Sequence, residues 1–493
     1  MTTIALSDWL LERLDRQGGP ALYRQLHAAL LAAVLEGQLP AGRKLPSSRL
    51  LARELGVARN TVIEVYETLC AQGCLESRHG SGTYVADLST ERPVDMPRPA
   101  PSAQTVPLAP ALSARGRALV DDARVFPRQW GAFMPGVPDV TEFPTRIWAR
   151  LHNRNWNSAS PERLSYAPVG GLPELRTALA EHLRTTRSVV CEPEQIVITT
   201  GIHQSVDLTA RLLADPGDTV WLEDPCYWGL RKSLQSLGLA LQAVPVDAEG
   251  LNWAAVSAEP PPRFVIATPS HQYPLGMVMS LGRRQALLEY CRAHGSWIIE
   301  DDYDSEFRYG TRPISSLQGL DRNGIVIYVG SFSKTLFPGL RLGYIVAPMH
   351  LAGAFAKGVA ELYREGQLQQ QAMLADFITE GHFGAHIRRM RGLYSRRRQA
   401  LLEAIRAEFG DRLEVTGDNA GLHLILRLPA QVDDQAVARD AFEANIATRP
   451  LSSYYHTASE RRPGLLLGYA CVPDAAIAPN FAVLARVLRK HGC

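Results

Sequence analysis

The first hundred residues show apolar positions at helical spacing. They recur every three to four positions over residues 21–36, which predicts an amphipathic helix. A second, shorter helix is predicted to begin at an N-cap formed by Ser47 or Ser48 and to end at Gly56.

A third helix and a hairpin follow. The run TVIEVYETLCAQG predicts a helix that opens at Asn60 or Thr61 and ends at Gly73. The next segment, CLESRHGSGTYVA, has two β-prone runs around HGSG, which predicts a hairpin. Two helices separated by a short turn, followed by a hairpin, indicate an α+β winged helix-turn-helix.

The longer C-terminal part alternates apolar runs with helical periods. The apolar runs, predicted to be buried strands, are QIVITTG, DTVWLED, RFVIATPS, SWIIEDDY, GIVIYVGSFS and LGYIVAP. The helical periods are ELRTALAEHLR, RRQALLEYCRAHG and HIRRMRGLYSRRRQALLEAIRAEF. This alternation predicts an α/β fold with a mostly parallel central sheet, in which a ligand binds at the carboxyl ends of the strands.

A proline-rich segment separates the two parts. Residues 91–110 contain six prolines and few large apolar residues, so they cannot build a core of their own. We therefore predict a DNA-binding domain over 19–87, a linker over 88–125 and an effector domain over 126–490. The proline-rich segment has about 20 residues and would span about 60 Å when extended.

Composition and charge narrow the classes of protein. Apolar residues make up 46% of the chain, charged residues 21%, and the net charge is +2, which is typical of a soluble globular protein. No apolar run reaches the roughly 18 residues of a membrane span. The acidic residues Asp8, Glu12 and Asp15 near the start are unlike a secretory signal. We expect a cytoplasmic protein with no membrane contact.

The seven cysteines are scattered, which indicates reduced thiols. Cys70 and Cys74 lack a second pair of ligands for zinc, so no metal is expected.

Positive charge is concentrated in the predicted helix-turn-helix. Five basic residues and one acidic residue, Glu54, lie between Arg43 and Arg59. The third helix starts with Arg59, Asn60 and Thr61, residue types that contact base edges and phosphates. The alternative is a small helical domain with a solvated basic face.

The segment from LPAGRKLPSSRLLARELG through VARNTVIEVYETLCAQG to CLESRHGSGTYV resembles the GntR-type winged helix over its whole length. This resemblance implies contacts with double-stranded promoter DNA from Arg49, Arg59, Asn60, Thr61, His79 and Gly80. The alternative for each is an exposed polar side chain, and it is strongest for His79 at the tip of the wing.

A lysine with phosphate-binding neighbours follows one predicted strand. In GSFSKTLFPGLRLGY, Lys334 is flanked by Ser331 and Ser333, and Arg341 lies seven residues on. These groups match what pyridoxal phosphate (PLP) needs: an amine for a Schiff base, and hydroxyls and a cation for the phosphate.

Another strand end carries a carboxylate and a phenol. In WIIEDDYDSEFRY, Asp301 supplies a carboxylate, the group that a protonated pyridine nitrogen of PLP needs, and Tyr303 follows two residues later. A solvated acidic turn is the alternative, although it is unusual directly after a buried strand.

These segments, with TPSHQYPLG, resemble the fold-type-I aminotransferases and, more closely, the MocR/GabR regulators, which join a GntR winged helix to such a domain. The resemblance covers residues 19–490 approximately. It implies a Schiff base at Lys334, pyridine contact by Asp301 and proximity of Tyr303 to the 3-hydroxyl. It also implies that the phosphate is bound by Arg341, Ser331, Ser333 and the N–H groups of Ile202 and His203. Tyr227 would stack on the ring, and Tyr166 of the partner subunit would contact the phosphate. For Tyr166, a buried aromatic near a turn is the alternative.

The chain departs from these families at two positions. Tyr273 stands where the enzymes have an asparagine near the 3-hydroxyl, which favours sensing over transamination. Gly229 stands where the GABA-responsive regulators have an arginine, which argues against GABA as the effector. Arg449 and Arg462 are both candidates for binding an effector carboxylate, and either could instead be a surface residue.

Two functions remain open from the sequence. The first is a PLP-binding transcription regulator, controlled by PLP or by its aldimine with a small amino compound, and the resemblance implies a head-to-tail homodimer. The second is an active aminotransferase with an appended DNA-binding domain. The winged helix and Tyr273 favour the regulator, with at most a residual aminotransferase half-reaction.

Overall fold

The computed structural model describes residues 6–15, 20–78, 80–87, 112–120, 130–166, 169–256, 260–309, 315–364 and 366–493. The chain divides between Ala109 and Pro110 into two compact units. This boundary lies within the segment predicted as a linker.

The N-terminal unit contains the predicted helices and hairpin. Its elements are α1 (Leu6–Leu11), α2 (Leu22–Leu35), α3 (Ser48–Leu55), α4 (Arg59–Ala71), β1 (Leu75–Arg78) and β2 (Gly82–Val85). The two strands pair antiparallel. Leu51 and Leu55 of α3 pack with Val62, Val65 and Leu69 of α4 in one buried core, as the helical spacing predicts.

The ends of α3 follow the predicted caps. Ser47 is the N-cap and its side chain accepts a hydrogen bond from the Leu50 N–H at 3.2 Å. Gly56 ends the helix with a φ of 60°, a conformation that favours glycine.

Helix α4 begins slightly earlier along the chain than predicted, at Arg59 and not at Asn60 or Thr61. The helix begins at Arg59 with Ala58 in the N-cap position. Thr61 N–H donates to Ala58 O at 3.1 Å, so the backbone is already helical where a polar cap was expected.

The C-terminal unit is built around a large sheet. Its strands are β3 (Ile196–Thr199), β4 (Thr219–Asp224), β5 (Ala240–Asp247), β6 (Gly250–Leu251), β7 (Phe264–Ala267), β8 (Trp297–Asp302), β9 (Val326–Ser331) and β10 (Gly343–Val346). Their order is β3-β10-β9-β8-β7-β4-β5-β6. The pairs among β9, β8, β7, β4 and β5 are parallel, while β10 is antiparallel to both neighbours. The prediction of a mostly parallel sheet is confirmed.

A second, smaller sheet lies near the C-terminus. It consists of β11 (Val415–Thr416), β12 (His423–Arg427), β13 (Arg449–Pro450) and β14 (Gly464–Gly468), in the order β11-β12-β14-β13 with antiparallel pairs. Leu424, Leu426, Leu465 and Leu467 are fully buried or nearly so and belong to the main core.

The helices of this unit are α5 (Ala114–Val120), α6 (Thr145–Asn157), α7 (Pro173–Arg187), α8 (Ile202–Leu213), α9 (Trp228–Ser236), α10 (Leu281–His294), α11 (Met349–Tyr363), α12 (Leu368–Thr379), α13 (His382–Phe409), α14 (Asp434–Glu443) and α15 (Asp474–Lys490). Helix α5 falls within the predicted linker. No helix of the described residues is long and apolar enough to cross a membrane.

The sheet topology brings distant segments together at one edge. Strands β3, β4, β7, β8 and β9 run in the same direction, so their carboxyl ends meet. Those ends carry Thr199, Asp224, Ala267, Asp302 and Ser331. This is the edge at which open α/β sheets bind ligands.

Candidate cofactor site and DNA-binding surface

One cavity at this edge collects almost all the predicted cofactor residues. Its volume is about 410 Å³. Nine of the ten predicted residues line it: Ile202, His203, Tyr227, Asp301, Tyr303, Ser331, Ser333, Lys334 and Arg341.

Lys334 lies just beyond β9, and its amine is held in place. Nζ donates a hydrogen bond to the carbonyl oxygen of Gly136 at 2.5 Å. Burial lowers the pKa of the lysine, although Asp304 and Asp301 oppose this shift. A lowered pKa increases the neutral fraction of the amine, which is the form that attacks an aldehyde.

Gly136 is required at its position for two reasons. Its φ is +70°, and a Cβ at this residue would lie 2.9 Å from Lys334 Nζ. A side chain here would therefore displace the amine from the cavity.

The end of the cavity nearest α8 is suited to a phosphate group. Gly201 precedes the 12-residue helix α8, so the free N–H groups of its first turn face the cavity beside Ile202 and His203. Ser331 and Ser333 lie on the same wall, and their hydroxyl oxygens are 3.0 Å apart. Arg341 adds a positive charge.

Asp301 is a half-buried carboxyl at the cavity, and its pKa is unusual. Burial, together with the negative charges of Asp302 and Glu223, raises its pKa from 3.8 to about 8. Lys334 acts in the opposite direction. A carboxyl in this state gains a large electrostatic benefit from a cationic partner such as a protonated pyridine nitrogen.

Behind Asp301 lies a hydrogen-bonded network. The Tyr303 hydroxyl is 2.9 Å from His271 Nδ1, which is also 3.0 Å from Asp304 Oδ1. Asp302 pairs with Arg187 at 2.7 Å. These bonds fix the loop that follows β8.

An aromatic wall closes another side of the cavity. The Tyr273 ring lies edge-on to the rings of Tyr227, Tyr303, His423 and Tyr454, with centroids 5.4–6.2 Å apart. The Tyr273 hydroxyl donates to the Tyr454 hydroxyl at 3.3 Å. Tyr273 is thus part of the aromatic wall, and its hydroxyl group is hydrogen-bonded to Tyr454.

Gly229 packs directly beneath this wall. A Cβ at Gly229 would lie 2.8 Å from ring atoms of both Tyr227 and His203. The glycine at this position therefore has a steric basis, because any side chain would displace Tyr227.

The two candidate carboxylate-binding arginines differ in burial. Arg449, in β13, is 9% exposed, and Tyr454 and Tyr273 lie near enough to influence the pKa of its guanidinium. Burial lowers the pKa of Arg449. Arg462 is exposed. Only Arg449 is near the aromatic wall.

Tyr166 does not line the cavity of its own chain. It is 82% exposed, so the alternative of a buried aromatic is wrong for the single chain. Its predicted contact with a partner subunit stays a prediction.

The predicted DNA-binding residues lie on the surface of the N-terminal unit. Arg49, Arg59 and Asn60 are exposed, and Thr61 is half-buried. Gly80 is exposed in the turn between β1 and β2. His79 lies outside the described residues.

Some site residues were not predicted from the sequence. They are Gly136, Glu223, Thr268, His271, Asp304 and Tyr454. His271 and Asp304 stand inside the motifs PSHQYPLG and EDDYDSEFRY, so a search of those motifs for further titratable groups would have found them. Gly136 acts through its backbone carbonyl, for which the sequence carries no signal.

The described residues contain no group of three or more His, Cys, Asp or Glu side chains placed to hold a metal ion.

A winged helix-turn-helix joined to an aminotransferase-like domain defines a class of DNA-binding transcription regulators. Residues 22–85 match the bacterial regulatory proteins of the gntR family, and residues 138–466 match the aminotransferase class I and II family. The chain belongs to the MocR-type HTH regulators, which combine these two domains.

The relatives agree with this assignment. The chain is 41% identical to the probable rhizopine catabolism regulatory protein MocR of Rhizobium meliloti, covering 93% of this chain and 92% of the relative. It is 32% identical to the HTH-type pyridoxine biosynthesis transcriptional regulator PdxR of Corynebacterium glutamicum, covering 82% of each. Among solved structures, the α-aminoadipate aminotransferase LysN of Thermus thermophilus superposes with a TM-score of 0.66 at 29% identity, covering 73% of this chain and 92% of that one. The aminotransferase family implies the use of PLP.

Replacing Asp301 by asparagine is expected to weaken PLP binding and to stabilise the cofactor-free protein at neutral pH. In the unfolded chain Asp301 loses its proton near its ordinary pKa of 3.8, whereas in the folded protein it keeps it up to about pH 8. Stability from this group is therefore complete below about pH 4 and is lost as the pH rises towards 8. Asparagine does not titrate, so the variant does not lose stability in this way as the pH rises.

Denaturant unfolding of the cofactor-free protein from pH 5 to pH 8 measures the difference. PLP affinity should fall about tenfold or more, since a charge-assisted hydrogen bond contributes about 1.5–3 kcal/mol. Asp411→Asn, at an exposed position, is the control. If the free energy of unfolding depended on pH equally in the wild type and in Asp301→Asn, the raised pKa of Asp301 would be contradicted.

Proposed function

We propose that this protein is a transcription regulator in which PLP, alone or together with a small amino compound, controls binding to promoter DNA. The observation that supports this most strongly is the convergence of nine predicted cofactor residues on one cavity in a chain that also carries a winged helix. DNA binding requires the compartment that holds the chromosome, so we expect the protein in the cytoplasm.

The donor set fits PLP. Lys334 would hold the aldehyde carbon, Asp301 the pyridine nitrogen, and Tyr303 the 3-hydroxyl. The phosphate would be held by Ser331, Ser333, Arg341 and the first turn of α8 at Ile202 and His203. Tyr227 would cover one face of the ring.

PLP bound in this way supplies an aldehyde that combines reversibly with primary amines. The chain's own residues prepare the site for that exchange. Burial lowers the pKa of the Lys334 amine, and Gly136 O orients it. Tyr227, Tyr273 and Tyr303 of the aromatic wall line the same cavity.

Our proposal for the effector class rests on a buried arginine near the aromatic wall. We propose a primary amine that also bears a carboxylate, and we assign Arg449 to that carboxylate because it is buried beside Tyr273 and Tyr454. The exposed Arg462 is not a candidate for this role. PLP alone is the alternative effector, and the PdxR relative, named for pyridoxine biosynthesis, makes it worth testing.

We propose a homodimer arranged head-to-tail, in which Tyr166 reaches the phosphate of the partner subunit's cofactor. The support is its 82% exposure next to a segment that resembles the corresponding part of the dimeric enzymes. The paired winged helices would read two half-sites on DNA.

An active aminotransferase is the second candidate function. Lys334, Asp301 and Arg341 suit it equally well. Tyr273 argues against it, since this residue closes the wall with Tyr454 where the enzymes place an asparagine.

The test measures DNA binding and turnover on the same protein. Fluorescence anisotropy with DNA from upstream of the protein's own gene should show an affinity that changes about 5- to 150-fold when PLP and the effector are added, the usual range for allosteric coupling. N-acetylated amino compounds are the control, because they cannot combine with an aldehyde. Steady transamination at about 1 s⁻¹ or above, with no change in DNA affinity, would favour the enzyme.

A further inference from the structure

A second cavity lies outside the cofactor site. Its volume is about 290 Å³. It is formed by the C-terminal half of α7, the loop after β8 and the N-terminal half of α13, and it shares no lining residue with the cofactor cavity. Four arginines line it: Arg187, Arg308, Arg388 and Arg391.

The positive charge of this cavity is only partly neutralised. Arg187 is paired with Asp302. Arg308 donates to the carbonyl oxygen of Ser270 at 3.1 Å, and Arg391 donates to the carbonyl oxygen of Glu306 at 2.7 and 2.9 Å. No carboxylate of the described residues forms an ion pair with Arg308, Arg388 or Arg391.

Two buried nitrogen atoms in the lining lack a partner. Within the described part of the chain, neither Arg308 Nε nor His182 Nε2 has a hydrogen-bond partner. Burial lowers the pKa of His182 to about 4, so the ring is neutral near pH 7. Arg308 Nε–H is a donor, and His182 Nε2 is one in the tautomer that carries the ring proton there. Buried donors are rarely left unsatisfied, which points to a ligand that accepts hydrogen bonds.

We propose that this cavity binds a compact oxyanion, either free phosphate or the phosphate group of a small metabolite. Forked guanidinium groups bind such oxygens through paired, charge-assisted hydrogen bonds. The hydroxyl of Ser305 lines the same space and can donate as well, whereas the hydroxyl of Thr186 already donates to the carbonyl oxygen of His182 at 2.7 Å. Inorganic sulfate has the same shape and serves as a probe.

The cavity is connected to the cofactor site through its arginines. Arg187 donates to Ser270 Oγ at 2.7 Å and to Asp302 Oδ2 at 2.7 Å. Arg308 donates to Ser270 O. Ser270 and Asp302 are next to His271 and Asp301, so an oxyanion held by these arginines acts on both segments that line the cofactor cavity. The oxyanion would be a second input to the regulator.

Glu306 opposes an anion in the cavity when it is ionised. Burial and the charge of Asp302 raise the pKa of Glu306 to about 7. The other charged or titratable groups that face it come from four parts of the chain. They are Asp304 and Arg308 on its own segment, His182 and Arg187 of α7, Arg388 and Arg391 of α13, and Tyr344 of β10. Anion binding is therefore expected to be stronger at pH 6 than at pH 8.

The experiment measures sulfate and phosphate binding to the full chain saturated with PLP, by isothermal titration calorimetry. Saturation with PLP keeps the probe out of the cofactor's phosphate subsite. Arg388→Gln and Arg391→Gln should each raise the dissociation constant about tenfold or more, as expected for loss of a charge-assisted hydrogen bond. Both residues are exposed, so neither change threatens folding. Arg396→Gln, also exposed on α13, should leave binding within about twofold.

A phosphomonoester such as glycerol 3-phosphate separates the two sources of the phosphate group. Tighter binding than inorganic phosphate indicates a metabolite, and equal or weaker binding indicates the free ion. The pH arm uses sulfate, whose charge is constant from pH 6 to pH 8, and Glu306→Gln should remove the dependence. Absence of binding to the wild type, or equal losses in the Arg396→Gln control, would overturn the proposal while leaving PLP binding and DNA binding unaffected.

Discussion

Replacing Lys334 by alanine is expected to abolish the covalent attachment of PLP and the visible absorption that accompanies it. Among the described residues that line the cofactor cavity, Lys334 is the single lysine. The variant keeps the groups for the ring and the phosphate but loses the amine that combines with the aldehyde. PLP should therefore bind weakly and be removed by gel filtration, whereas the wild type should retain it.

Absorption spectroscopy after gel filtration, followed by borohydride reduction and mass spectrometry, checks this prediction. Lys357→Ala is the matched control, because Lys357 is an exposed lysine of α11. The far-ultraviolet circular dichroism of both variants should match the wild type, since Lys334 Nζ makes one hydrogen bond and its removal relieves a desolvated amine. A visible band that persists in Lys334→Ala would refute the assignment.

The same variant separates cofactor sensing from DNA reading. Its winged helix is unchanged, so it should bind DNA with one fixed affinity. Added PLP or amino compound should no longer shift that affinity in anisotropy measurements. A response equal to that of the wild type would mean that the cavity at Lys334 does not control DNA binding.

The parts of the fold that were predicted share a simple physical origin. The six predicted strands are continuous apolar runs, and each is found as a strand buried between helices. Burial on both faces demands such runs, so the sequence signal is strong. Lys334 and Asp301 were predicted with their neighbours because they stand at the ends of such strands, and parallel strands bring their carboxyl ends together. The cofactor contacts of Ile202, His203, Tyr227 and Tyr166 were predicted from the family resemblance alone.

Several of the parts that were not predicted lack such a signal. Strand β5, ALQAVPVD, is mostly half-buried near the sheet edge and mixes apolar residues with Gln242 and Asp247. Strands β11 and β13 have two residues each, too few for any period. Their positions depend on pairing with β12 and β14, which only the folded chain determines.

The missing site residues also depend on tertiary contacts. Gly136 lies 198 positions from Lys334 along the chain, and a glycine carbonyl carries no chemical signature. His271 and Asp304 are separated by 33 positions. Each is visible in a motif, but their hydrogen bond becomes apparent only when β7 and β8 pair in the sheet.

Replacing Arg59 by alanine is expected to weaken binding to the protein's own promoter region about tenfold or more and to lower its dependence on salt. Arg59 is the first residue of α4 and is exposed, ahead of the first buried position at Val62. An arginine at the start of a recognition helix reaches phosphates or base edges of the major groove. Loss of one phosphate contact should reduce the slope of log K against log salt by about 1.

Anisotropy titrations at several salt concentrations measure both quantities. Arg24→Ala is the matched control, since Arg24 is an exposed arginine of α2 in the same unit. A loss confined to the specific sequence would assign Arg59 to a base, because base contacts carry the sequence information, whereas an equal loss on unrelated DNA would assign it to a phosphate. Unchanged affinity and unchanged salt slope in Arg59→Ala would show that α4 does not present this residue to DNA, and PLP binding, which uses the other unit of the chain, should stay the same in either case.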